Sequence, residues 1–405
     1  MTHEVPEGWQ SKPLSDLGEY QNGRAFKPSD WGTEGLPIIR IAQINNPYSE
    51  TNYYSGTDVQ EKHLIRDGDL LFSWSATLTA LLWRNGNGIL NQHIFKVVEN
   101  EGVDKNFLLY TILHSIDGLA GHSHGTTMKH IKKGVLNKYH VGIPPLPEQK
   151  KIAEVLSSVD EAIAATKAVI DQTKQVKKGL LQTLLTKGIG HTKFKQTELG
   201  EIPESWEVGS LSEVIDDMKY GTSSKCDASD NGYGVLRIPN VVDERINLKD
   251  MKYAELSASE AARYSLVDGD ILAVRTNGNP NYIGRMAVVS SLPKNTIFAS
   301  YLIRIRVDRS KVMPEFIHYA ALSPNTRAAL LKSAKTSAGN YNINSTGLGS
   351  IKLSIPPLSE QREIAQVFQN IDASLETYEA HLQQLQTLKF GLMSDLLTGR
   401  KRVEV

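Results

Sequence analysis

Two stretches of the chain carry a long, regular apolar spacing. In the second, apolar residues fall at Ile364, Phe368, Ile371, Leu375, Tyr378, Leu382, Leu385, Leu392 and Leu396, steps of four and three broken by Lys389. The first keeps the same phase at Ile152, Leu156, Val159, Ile163, Ile170, Leu180 and Leu184, with Thr166, Thr173 and Lys177 interrupting it. That alternation predicts two coiled-coil-like helices. Neither holds an internal proline after its first turn, so each is expected to run for about forty residues, roughly 60 Å. Helices that long need a packed partner. Connectivity suggests antiparallel pairing with each other, in a pseudo-twofold arrangement; separate burial against their own lobes is the alternative. Ser359 is the expected N-cap of the second helix, and Pro147 is tolerated at the start of the first. Gly179 and Gly391, at equivalent places, are expected to mark a close helix crossing or a kink.

Elsewhere the runs are short and β-like. Examples are LPIIRIAQI from Leu36, DLLFSW from Asp69, NQHIFKVV from Asn91, DILAVR from Asp270, GRMAVVS from Gly284 and YLIRIRV from Tyr301. Asp-Gly-Asp turns at 67–69 and 268–270 punctuate them. Shorter helices are expected at Asp104–Leu113 and Met313–Leu322. The fold class expected is α+β: two similar α/β lobes, each with a curled sheet, joined by the two long helices.

The pattern is duplicated. PPLPEQKKIAEVLSSVDEAI from Pro144 returns as PPLSEQREIAQVFQNIDASL from Pro356, 212 residues later. VPEGW at Val5 returns as IPESW at Ile202, RDGDLL at Arg66 as VDGDIL at Val267, and FLLY at Phe107 as FIHY at Phe316. The offset grows from 197 to 212 across the lobes and then stays fixed through the helices. Loops have drifted in length while the helical frame has not, which suggests variable recognition parts on a fixed rod.

Composition narrows the chemistry. Lysine plus arginine and aspartate plus glutamate each number 45, so the formal charge is zero and any nucleic-acid surface must be local. The single cysteine, Cys226, excludes an internal disulfide and a cysteine-cluster metal site. No run is long and apolar enough for a membrane span, and the opening MTHEVPEGWQ does not resemble a signal peptide, so a cytoplasmic protein is expected. Nucleotide-binding and hydrolytic motifs are missing. The histidines 114, 122, 124 and 130 tempt a metal reading, but the second lobe has no counterpart, and a surface loop is the plainer expectation.

Candidate DNA contacts come from the loops. RTNGNPNYIGR supplies Arg275, Asn277, Asn279, Tyr282 and Arg285; the first lobe supplies Arg24, Lys27, Arg40, Trp74, Arg84 and Asn87, and the second Arg237. Near the lobe ends stand Lys129, His130, Lys332, Lys335, Asn340 and Tyr341. Arginine suits guanine O6/N7, asparagine suits adenine N6/N7, and lysine suits phosphate.

The doubled PPL-x-EQ stretch, PEGW and IPESW, the DGD turns and the connector FKQTELGEIPESW together resemble the specificity (S) subunits of type I restriction–modification systems, over essentially the whole chain. The resemblance implies target recognition domains at 1–143 and 201–355, helical spacers at 144–188 and 356–400, a connector at 189–200 and a tail at 401–405. It implies a non-catalytic subunit that reads a split, asymmetric site in double-stranded DNA. The implied partners are two methyltransferase (M) subunits and restriction (R) subunits. S-adenosylmethionine, ATP and Mg2+ would serve the partners, with no cofactor in this subunit. A coiled-coil scaffold and a self-contained DNA enzyme are the alternatives. The first leaves the Arg/Asn loops unexplained, and the second lacks cofactor and metal motifs.

Overall fold

A computed structural model describes residues 5–121, 130–131, 133–241, 244–337 and 339–404. Contacts divide the chain into two compact units, residues 1–168 with 379–405, and residues 169–378. Each is built from one lobe and parts of both long helices, Leu146–Lys187 and Leu358–Leu396.

In the first unit an antiparallel sheet runs in the order Gly18–Asn22, Ile94–Glu99, Leu70–Ser73, Thr79–Leu82. A second sheet orders Tyr53–Tyr54, Leu36–Ile39, Gly88–Leu90 and Leu64–Ile65, with Ile38–Ile39 parallel to Ile89–Leu90. The sequence expectation of one curled sheet is corrected here: strands joined by a crossover pair in parallel and form a separate layer. Leu70 and Phe72 pack on one side with Leu108 and Ile112 of helix Lys105–Gly121. Leu71, on the opposite face, packs with Ile39 and Leu90. Burial on both faces is why Leu70, Leu71 and Phe72 form a continuous apolar run instead of alternating.

The second unit repeats this plan. Its antiparallel sheet orders Ile215–Tyr220, Leu302–Val307, Ile271–Val274 and Met286–Val288, and its mixed sheet orders Lys252–Ala254, Tyr233–Leu236 and Thr296–Phe298. Ile271 and Ala273 face Phe316 and Ile317, while Leu272 and Val274 face Leu236 and Phe298. The Asp-Gly-Asp turns are built alike. Gly68 and Gly269 have φ of 89° and 90°, where a side chain would be strained. Asp69 accepts from the Arg66 N–H and pairs with Lys96; Asp270 accepts from the Val267 N–H and pairs with Arg306.

The repeated EQ dipeptide is buried at both helix starts. Glu148 accepts a hydrogen bond from Trp9 Nε1 and a bidentate pair from Arg402. Glu360 accepts from Trp206 Nε1, the Ile189 N–H and His191 Nε2. Gln149 donates to the Pro144 and Gly102 carbonyls and accepts from the Asp104 N–H. Gln361 repeats this with Pro356, Lys311 and Met313. A buried polar group is tolerable only when paired, and all four are. Thus PPL-x-EQ and PE-x-W are two halves of one lock.

Ser359 is not the N-cap. The helices begin at Leu146 and Leu358, and the first helical N–H groups, of Gln149 and Gln361, donate to the Pro145 and Pro357 carbonyls. Nor do Gly179 and Gly391 mark a close helix crossing: a Cβ at either would meet nothing within 4 Å.

The seam residues divide between the units. In the first, Ile152 and Leu156 pack with Leu396, flanked by Leu392. In the second, Ile364, Phe368 and Ile371 pack with Leu180 and Leu184. Val159, Ile170 and Leu375 are buried, Ile163, Leu382 and Leu385 are half-buried, and Tyr378 is exposed. The charged seam positions are accounted for. Lys389 Nζ lies 2.6 Å from Asp160 and 5.4 Å over the Tyr110 ring, whose hydroxyl donates to the same carboxylate at 2.8 Å. Lys177 lies 2.7 Å from Asp372 and 5.8 Å over Tyr319, whose hydroxyl donates to Asp372 at 2.9 Å. Burial first, then Asp160, pushes the Tyr110 hydroxyl up to about 12.

Candidate nucleic-acid interface

In the second lobe most of the loop candidates converge. Thr276–Asn277, Asn340–Asn342 and Lys335–Ser337 form a small antiparallel sheet in which Asn277 faces Tyr341. Next to it the Asn279–Tyr282 turn is held by side-chain acceptors: Asn277 Oδ1 takes the Asn279 N–H, and Asn279 Oδ1 takes the Asn281 N–H. Arg285 stacks 4.7 Å over Tyr282 and donates to the Asn281 carbonyl. Arg275 stacks 4.5 Å over Tyr220. Lys335 and Asn340 are exposed; Lys332 is exposed on the preceding helix, Pro324–Ser333. The result is a polar, cationic edge with aromatic faces, suited to hydrogen-bond readout and phosphate contact.

The first lobe offers a different surface on the same frame. Trp74 sits against His93, Phe95 and His130, with ring centroids 5.4, 5.8 and 5.9 Å away. His130 bridges Ser75, and the Ile131 N–H donates to the Trp74 carbonyl. Arg84 and Asn87 are exposed in the turn between Thr79–Leu82 and Gly88–Leu90, away from this aromatic group in sequence. Lys27 is exposed beside a short turn. Lys129, His122 and His124 lie outside the described residues. His114 is held below the usual imidazole range by burial and by Arg400. Among the described residues no set of three or more His, Cys, Asp or Glu is arranged to hold a metal.

Three of the candidate arginines do structural work. Arg24 pairs with Asp58 at 3.0 Å, stacks on Tyr54 and donates to its hydroxyl. With Tyr54 it lowers the Asp58 carboxyl to about 2. Arg40 donates to the Glu50 carbonyl and Arg237 to the Asp250 carbonyl, the same loop brace in each lobe. Tyr220, Ser300, Tyr301 and His93, which sequence reasoning did not single out, border Arg275 and Trp74.

Comparison with known proteins gives the same class of molecule. The family model for the type I restriction modification DNA specificity domain matches twice, at residues 6–175 and 203–387. The chain belongs to that family. It is the DNA-recognition specificity subunit of a type I restriction–modification complex, and its role in the complex is recognition, not catalysis. The MjaVIII specificity subunit of Methanocaldococcus jannaschii is 28% identical, covering 99% of this chain and 94% of its own. The EcoKI specificity subunit of Escherichia coli K12 is 25% identical, covering 99% and 90%. The crystal structure of a type I system S subunit from M. genitalium shares the fold, with a TM-score of 0.62 and 13% identity over 98% of this chain and 97% of that one. No helix among the described residues is long and apolar enough to cross a membrane.

Proposed function

We propose that the chain reads a bipartite, asymmetric site in double-stranded DNA, one half-site per lobe. Residues 1–143 and 201–355 act as the target recognition domains, joined by the connector at 189–200. Residues 144–188 and 356–400 act as a pseudo-twofold antiparallel spacer that sets the gap, with 401–405 as a tail. Two adenine methyltransferase (M) subunits and, in the restricting form, motor-nuclease (R) subunits assemble around it in the cytoplasm. S-adenosylmethionine, ATP and Mg2+ serve those partners. A near-neutral recognition subunit suits such an assembly, because the partners can supply phosphate neutralisation. Adenine methylation also requires a flipped base, which the loops must accommodate.

One observation carries this account: the same backbone frame occurs twice, with different side chains at equivalent loop positions. Two frames support two reads, and unlike side chains support unlike half-sites. The test is methylome sequencing of cells expressing the chain with its M subunit. The expected motif has two defined half-sites of different sequence and a constant undefined gap. A continuous or palindromic motif would overturn it.

A further inference from the structure

The two lobes place different chemistry at one shared backbone position. In the second lobe the Arg275 N–H donates to the Tyr301 carbonyl, and the Arg275 carbonyl accepts from the Ile343 N–H. In the first lobe the Trp74 N–H donates to the His93 carbonyl, and the Trp74 carbonyl accepts from the Ile131 N–H. The flanking strands agree: the Ser300 N–H donates to the Thr222 carbonyl as Gln92 does to Arg24. Positions 74 and 275 are therefore equivalent, and so are 93 and 301.

Arg275 differs in its surroundings from the arginines that brace the two lobes. Arg24, Arg304, Arg306 and Arg402 pair with Asp58, Asp217, Asp270 and Glu148. Arg40 and Arg237 brace loop carbonyls. Among the described residues Arg275 has no carboxylate in ion-pair range. It makes a long 3.4 Å bond to the Ser300 carbonyl, and its Nε is shielded without a partner. Its guanidinium carbon lies 4.5 Å over the ring of Tyr220, whose hydroxyl donates to Ser345 Oγ and accepts from the Ser345 N–H. Beside it Tyr301 is 56% exposed. A stacked, half-exposed guanidinium without an acid is prepared for a pair of acceptors. Guanine O6 and N7 present that pair in the major groove. Trp74, packed on His93 and His130, presents an apolar ring and no donor fork.

We propose, resting on the DNA-recognition role above, that this position makes the lobes read different bases. Arg275 takes a guanine in the second lobe's half-site, and Trp74 denies that reading to the first. Tyr220 is a positioning residue for Arg275.

The test uses the full-length chain assembled with its M subunit, read by methylome sequencing and competition binding. Arg275→Gln should lower discrimination for guanine at one base pair about tenfold or more, with the other half-site unchanged. Tyr220→Leu should relax the same base pair to a smaller extent. Arg275→Lys keeps the charge without the fork and should also relax it, and retained reading of the remaining base pairs of the second lobe's own half-site reports that each variant's second lobe is folded. A uniform loss over all sequences with a shallower salt dependence would make Arg275 a phosphate contact and overturn the inference. So would a split wild-type motif left unchanged by Arg275→Gln, or a second-lobe half-site without guanine. A wild-type complex with no split motif would instead overturn the recognition role itself, and this inference with it.

Discussion

His318 and Leu109 occupy equivalent places in the FIHY and FLLY repeats, yet only one can titrate. His318 is buried, contacts the Met286 carbonyl through Nδ1, and lies near Glu244, Lys177 and Asp372. Burial dominates and holds its affinity for a proton below that of a free imidazole. The unfolded chain therefore takes up the proton first as pH falls. The stability His318 allows is present above the ordinary histidine range and is lost as pH falls through and below it. His318→Leu, the first lobe's own solution, is expected to flatten the acid side of the stability profile, read as melting temperature between pH 7 and 5. An unchanged slope would mean that another group sets it. The residue scale was also where sequence reasoning was weakest. Glu148 and Trp9 are 139 positions apart, and Glu360 and Trp206 are 154. Each looks like an ordinary surface acid or a lone aromatic until folding pairs them.

The long helices were legible because their signal is periodic and local. A four-three alternation over forty residues specifies a helix, its buried face and its phase without tertiary knowledge. Their ends were less so, since the cap is a proline carbonyl and carries no side-chain signature. The seam lysines looked like flaws in the pattern; in the structure each is held by an aspartate and a tyrosine ring. Lys177 and Asp372 are 15% and 19% exposed, against 21% and 39% for Lys389 and Asp160. Solvent screening should make the second pair weaker. Double-mutant cycles with Lys→Met and Asp→Asn are expected to give coupling of about 1 kcal/mol or more for Lys177–Asp372 and less for Lys389–Asp160. Zero coupling in both would reduce the nodes to incidental surface contacts. The small sheet that gathers Asn277, Lys335, Asn340 and Tyr341 lay beyond sequence reach for a different reason. Its strands are short and polar, so alternation is absent and only pairing across 60-odd residues creates the surface.

At the scale of the whole chain, duplication was the most informative feature, because a repeat with variable lobes and invariant helices implies a division of labour. Which bases are read was not legible, since readout depends on loop shape. Under the proposed function the helices bear on separation. The most direct measurement inserts one helical turn into Thr166–Lys178, with a matching turn in the second helix, and repeats the methylome. The account predicts the same two half-sites separated by a longer gap. An unchanged gap, with both half-sites still read, would contradict the claim that the helices set the spacing.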